Sequence, residues 1–115
     1  MFEITGCKGF RLTFENGLTV SVQFGPGNYC ERRDDGFGCV NHDHHESRDA
    51  EVAVLTDDGS WVAEYPHWSD GDTVCGWLSA NQIADIITWA ASRKLGEWRA
   101  VSGCGELWND EDEEG

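Results

Sequence analysis

The chain has 115 residues, with 22 Asp+Glu against 8 Lys+Arg and a formal net charge of −14. That length supports one compact core but not two, and a 39% apolar share with six Trp and five Phe is too rich for a wholly disordered chain. The acidic balance excludes a sequence-independent grip on DNA, RNA or anionic lipid, each of which needs clustered Lys and Arg.

The first element is a hairpin. Phe10, Leu12 and Phe14 alternate with polar residues, and Leu18, Val20, Val22 and Phe24 do the same. A two-residue Asn16-Gly17 turn would split this apolar set between two faces. A three-residue loop, Glu15-Asn16-Gly17, pairs Phe14 with Leu18, Leu12 with Val20 and Phe10 with Val22, and keeps the set on one face. Gly17 then supplies the positive-φ position. The opposite face, with Arg11, Thr13, Thr19, Ser21 and Gln23, is expected to be wet. Residues 25–49 show no periodicity and exceed the roughly 12–15 residues usual for an unstructured connection, which predicts a functional, disordered or stapled loop.

A second hairpin is predicted from Glu51 to Tyr65, turning at Asp57-Asp58-Gly59 and pairing Leu55 with Trp61 and Val54 with Val62. It is apolar on both faces near its turn, so each side needs cover. A helix follows. Ser79 is its N-cap, Gln82 completes a capping box, and Leu78 with Ile83 forms a hydrophobic staple. Ile83, Ile86, Ile87, Ala90 and Ala91 make one apolar stripe. Arg93 and Lys94 suit the helix end, and Gly96 is expected to stop it. The predicted fold is α+β: a four-stranded antiparallel meander from two hairpins, packed by one C-terminal α-helix, in a single domain over residues 1–96. Residues 97–115 read as a solvated acidic tail.

Five cysteines (Cys7, Cys30, Cys39, Cys75, Cys104) form an odd, scattered set, unlike a secreted disulfide scaffold. Met1-Phe2-Glu3 begins no signal peptide, and no apolar run nears the ~18 residues of a membrane span. A cytoplasmic protein with reduced thiols is expected. Zinc is the cofactor chemistry that the long loop offers, through Cys30, Cys39, His42, His44 and His45, with Cys39-x2-His42 as the local spacing. No paired C-x2-C accompanies it, and a His-rich polar surface loop is the plainer reading. No orienting group or oxyanion hole can be assigned to Cys30 or Cys39, so no enzyme activity is expected. Asp34-Asp35 and Asp57-Asp58 sit in turn contexts, where aspartates bond to the backbone rather than work as acid/base pairs. Gly25-Pro26-Gly27-Asn28 lacks the Lys-Ser/Thr of a phosphate loop. Trp61, Trp77 and Trp89 fall in predicted elements and are assigned to the core. Trp68, Trp98 and Trp108 have no obvious buried slot.

The stretch Gly9-Phe10-Arg11-Leu12-Thr13-Phe14-Glu15-Asn16-Gly17 through Phe24-Gly25-Pro26-Gly27-Asn28-Tyr29-Cys30 resembles a group of small, largely uncharacterised bacteriophage and prophage proteins. The Ala50-Glu51-Val52-Ala53 strand and the Ile83–Ser92 helix fit the same pattern, so the resemblance covers roughly residues 9–93. It carries no catalytic residues. It implies an accessory product acting in the cytoplasm of a bacterial host.

Small acidic proteins of that kind suggest non-catalytic inhibition of a host nucleic-acid-handling or immune protein. Carboxylates there would occupy a Lys/Arg channel as phosphates do. The candidate acids are Asp34, Asp35, Asp57, Asp58, Asp70, Asp72, Asp110, Glu111 and Asp112. A second reading is a sponge for a nucleotide immune signal, with Arg32, Arg33 and Arg48 for phosphates and Tyr29, Phe37 and Trp68 for stacking. A third is a small structural or regulatory phage protein stapled by zinc. Glu106, Asp110, Glu111, Asp112, Glu113 and Glu114 all lie in the tail, so the remainder of the chain is only moderately acidic.

Overall fold

The computed structural model of the chain describes residues 1–6, 9–24, 46–69 and 73–100. In chain order the elements are β1 (Phe2–Thr5), β2 (Gly9–Thr13), β3 (Thr19–Gln23), β4 (Ala50–Leu55), β5 (Val62–Ala63), β6 (Cys75–Leu78), α1 (Ala80–Ala91) and β7 (Arg99–Ala100). Five strands form one antiparallel sheet in the order β1-β2-β3-β4-β6, while β5 and β7 pair separately. The fold class is α+β.

The first hairpin has the register its apolar pattern requires. Phe10 faces Val22, Leu12 faces Val20, and the Phe14 amide donates to the Leu18 carbonyl at 2.9 Å. Gly17 has φ +94°, where a side chain would be strained. The next ladder sets Val20 opposite Val54 and Val22 opposite Val52. Period-two alternation then puts all four valines on one face, and α1 packs over β3 and β4 on that side. Leu18, Val20, Val52, Val54, Val62 and Ile86 are fully buried.

The sheet has five strands where the hairpin pattern predicts four. Two causes are visible. Phe2-Glu3-Ile4-Thr5 adds an edge strand to β2, with Phe2 opposite Leu12 and Ile4 opposite Phe10. The second hairpin begins as predicted, with Leu55 bridged to Trp61, but its return strand then leaves the sheet. Glu64 and His67 both take positive φ around Pro66, and Trp68 N donates to Tyr65 O in a turn. Proline has no N–H for a ladder, so the chain turns away and β6 takes the place beside β4. β6 joins through a bulge: Ala50 faces Leu78 and Val52 faces Cys75, so Gly76 and Trp77 together oppose Glu51.

The face of β2 and β3 expected to be wet is partly covered. Ser21 is buried, Thr13 and Thr19 share a hydroxyl hydrogen bond of 2.9 Å, and Trp61 and Val74 stand along the same face.

Helix α1 starts as its sequence dictates. The Ser79 hydroxyl accepts from Gln82 N at 3.2 Å and the Gln82 side chain accepts from Ser79 N at 2.8 Å. Ile83, Ile86 and Ala90 are buried, Ile87 is half-buried and Ala91 is exposed. The helix ends at Ser92, earlier than Gly96, which instead sits in a separate turn with Glu97 N bonded to Lys94 O. Its end is closed from a distance. Asn16, at the tip of the first hairpin, donates from Nδ2 to Ala90 O at 2.8 Å and Arg93 O at 2.7 Å, while its Oδ1 accepts from Leu18 N at 2.9 Å. One side chain thereby fixes the hairpin loop and satisfies two carbonyls that the end of a helix leaves open.

Beyond Gly96, Trp98 packs against the core and Arg99 and Ala100 form β7.

Candidate functional site

Two surface features stand out, one at the C-terminal end of α1 and one along its N-terminal half. The first is at the hairpin tips. The loops joining β2 to β3 and β4 to β5 lie side by side, so that a Cβ built on Gly17 would sit 3.8 Å from the Asp57 carboxylate. Glu15, Asp57 and Asp58 are all exposed there. Asp58 is held in place: its carboxylate accepts from the Thr56 hydroxyl, and from Ser60 N at 3.1 Å. The Thr56 side chain, then Ser60, stabilises the ionised form and lowers the Asp58 pKa below the ordinary carboxylate value. Asp58 is therefore a turn residue, as Asp-Asp-Gly predicted. The nearby cation Arg93 is turned along the helix, with its guanidinium 5.3 Å from the Trp89 ring centroid and its Nε donating to Trp89 O.

The second feature is a cavity of about 360 Å³ between α1, the sheet and the chain leading into β4. Phe10, Val22, Phe24, Ile83, Ala84 and Ile87 contribute its apolar wall, and Glu46, Ser47, Arg48 and Asp49 its polar rim. The rim is shaped by Ser47, whose hydroxyl donates to Asp49 O at 2.7 Å just before β4 begins. The volume falls within the range of small-ligand sites. One arginine among two acids is a poor match to a polyphosphate, whereas the wall suits an apolar group.

Of the predicted acidic surface, Asp57 and Asp58 are brought together at the tips. Asp34, Asp35, Asp70, Asp72, Asp110, Glu111 and Asp112 lie outside the described residues. Of the predicted ligand pocket, Arg48 lines the cavity. Trp68 does not: it packs, half-buried, against the core. Tyr29, Arg32, Arg33 and Phe37 lie outside the described residues, as do Cys30, Cys39, His42, His44 and His45, the zinc ligands read from the sequence. Among the described residues no group of three or more His, Cys, Asp or Glu is placed to hold a metal ion.

The tryptophans differ from expectation in a consistent way. Trp77, assigned to the core from its place in an ordered element, is 55% exposed, because the bulge in β6 turns it outward at φ +55°. Trp68 and Trp98, which had no obvious slot, are both packed against the core. Trp89 lies at the margin of the helix stripe, its ring centroid 6.3 Å from that of Tyr65. Tyr65 is itself buried and donates its hydroxyl to the buried Cys75 sulfur at 3.3 Å; the Ser69 amide also reaches that sulfur, at 3.3 Å. Cys75 is thus a structural acceptor joining β6 to the segment that follows β5. His67 and Asp85 form an exposed pair at 2.8 Å that ties the same segment to α1.

Among the described residues no helix is long and apolar enough to cross a membrane. Comparison of the chain with protein-family models, curated proteins and solved structures returns no match.

Proposed function

We propose that this chain is a non-catalytic accessory protein of phage type. It works in the cytoplasm of a bacterial host, where it binds and inhibits a basic, nucleic-acid-handling or immune protein. The observation that supports the reading is the set of exposed carboxylates at the adjoining hairpin tips, Glu15, Asp57 and Asp58, with Asp58 oriented by Thr56 and Ser60. The Asp58 carboxylate, already oriented by its turn, needs little ordering on binding a Lys/Arg channel, and Glu15 and Asp57 add exposed negative charge beside it. The surplus of 22 acids over 8 bases adds long-range attraction to a cationic partner. The polar groups of Asp58, Cys75 and Asn16 are all engaged in holding turns and segments together, which is structural rather than chemical work.

The test is affinity purification with the full chain from a bacterial lysate at low and high salt, with mass spectrometry of what is retained. The expected result is enrichment of a basic nucleic-acid-handling protein whose capture falls steeply with salt and whose activity the chain inhibits. Recovery of background proteins alone, or a salt-insensitive partner, contradicts the proposal.

The sponge reading draws on one observation, Arg48 at the rim of the cavity. Calorimetry with cyclic dinucleotides and ADP-ribose derivatives separates the two readings, since an acidic mimic binds neither.

A further inference from the structure

Edge strand β1 carries an open surface of a specific kind. Met1 and Thr13 exchange two hydrogen bonds, with Thr13 N to Met1 O at 2.9 Å and the N-terminal amine to Thr13 O at 2.7 Å. In an antiparallel ladder, hydrogen-bonded and non-hydrogen-bonded pairs alternate. Glu3↔Arg11 and Thr5↔Gly9 are therefore bonded pairs, and Phe2↔Leu12 and Ile4↔Phe10 are not. The N–H and C=O groups of Phe2 and Ile4 consequently point away from β2, along the free edge of the sheet. The same two residues are the most exposed large apolar residues in the described strands: Phe2 is 88% and Ile4 83% accessible. They share the face of Phe10 and Leu12, which α1 leaves open because it lies over β3 and β4. Natural edges are blunted by shortness, charge, proline or a bulge. β1 is short and carries Glu3, but it has no proline, and Phe2 and Ile4 leave its apolar face uncovered.

We infer that β1 is a self-association edge, its occupant being a second copy of this chain paired antiparallel about a two-fold axis through Glu3. In that register Phe2 exchanges two backbone bonds with the partner's Ile4, and Ile4 with the partner's Phe2, so every outward group of both residues is used. Phe2 and Ile4 then pack against their counterparts on the helix side of a continuous sheet. On the other face, two Glu3 carboxylates meet. Arg11 stands beside Glu3 in each protomer, so the row is electrically neutral. The antiparallel sense also separates the acidic hairpin tips: they adjoin the Met1–Thr13 end of β1, and the two-fold axis sends them to opposite ends of the assembly. An isologous interface demands this self-complementarity, which an arbitrary partner strand lacks. Even complete burial of Phe2 and Ile4 would remove only roughly 300–400 Å² per protomer from water, well short of the ~800 Å² per partner of a tight complex. The dimer is accordingly weak and concentration-dependent. This inference is independent of the acidic-tip reading.

Sedimentation of the full chain from about 10 μM to about 1 mM, the span over which a weak association is read, tests it. The wild type is expected to move from monomer toward dimer. Phe2→Lys removes the apolar contact, and Ile4→Pro removes an outward N–H without touching the bonds to β2. Both are expected to weaken association at least tenfold while leaving thermal unfolding of the dilute protein unchanged. A wild type that stays monomeric throughout, including one whose edge pairs only with another protein's strand, overturns the inference. So does a dimer that survives both substitutions.

Discussion

Replacing Asn16 removes a bond set that joins the two halves of the chain. Asn16→Ala deletes donors to Ala90 O and Arg93 O and an acceptor for Leu18 N, at 2.8, 2.7 and 2.9 Å. At about 0.5–1.5 kcal/mol net for each bond, and with the site only half-buried so that water re-solvates part of what is released, the expected loss is about 2–3 kcal/mol. For a domain of this size that lowers the melting temperature by roughly 10 °C. Asn16→Asp is a sharper probe. Its Oδ1 still accepts from Leu18 N, but the introduced carboxylate faces two carbonyls at the negative end of α1. The folded state then favours the protonated acid, raising its pKa above the unfolded value. The stability of this variant should be highest below the ordinary carboxylate pKa and fall as pH rises through the raised one. Urea unfolding followed by circular dichroism at neutral and acid pH measures both effects. A loss under about 0.5 kcal/mol for Asn16→Ala, or an Asn16→Asp variant at neutral pH as stable as the wild type, would refute the account of how α1 is closed.

Other expectations follow from the same geometry. Gly9→Ala places a Cβ 1.9 Å from Val22 O, a backbone atom that cannot move without breaking the β2–β3 ladder, and should cost about 2–3 kcal/mol by chemical denaturation. Ile86→Ala empties a fully buried site between helix and sheet and should cost about 2–5 kcal/mol. Trp77→Gly should be more stable than Trp77→Ala by about 1 kcal/mol, because only glycine adopts φ +55° without strain; equal stabilities would contradict the bulge geometry. The lowered pKa of Asp58 makes its contribution complete above the ordinary Asp value and lost as pH falls through the lowered one. Asp58→Asn should therefore flatten the acid limb of the stability–pH curve.

Elements whose apolar pattern keeps a regular period could be read from sequence. The three-residue loop register followed from keeping Phe10, Leu12 and Phe14 on one face, and the helix start from Ser79 and Gln82. β6 was not legible, because the bulge at Gly76-Trp77 breaks the period of two, and the same bulge turned Trp77 outward. β1 showed only a Phe2/Ile4 alternation over four residues, too short to signal a strand. The role of Asn16 depends on carbonyls more than seventy positions away, which no local signal shows. At the candidate site, Asp57 and Asp58 were visible as a turn. Their approach to the first hairpin tip was not, since it arises only when both loops meet at one end of the sheet. The cavity was invisible for the same reason: Phe10, Phe24 and Ile87 look like ordinary core residues until the fold leaves space between them.

The proposed function rests on the exposed carboxylates of the tips, and one comparison tests that most directly. Full-length wild type and a Glu15→Gln, Asp57→Asn double variant, which leaves Asp58 to hold its turn, are immobilised and exposed at low salt to the same bacterial lysate. The account predicts that the wild type retains a basic nucleic-acid-handling protein and that the double variant, equally stable, loses most of it. Equal retention by both proteins would contradict it.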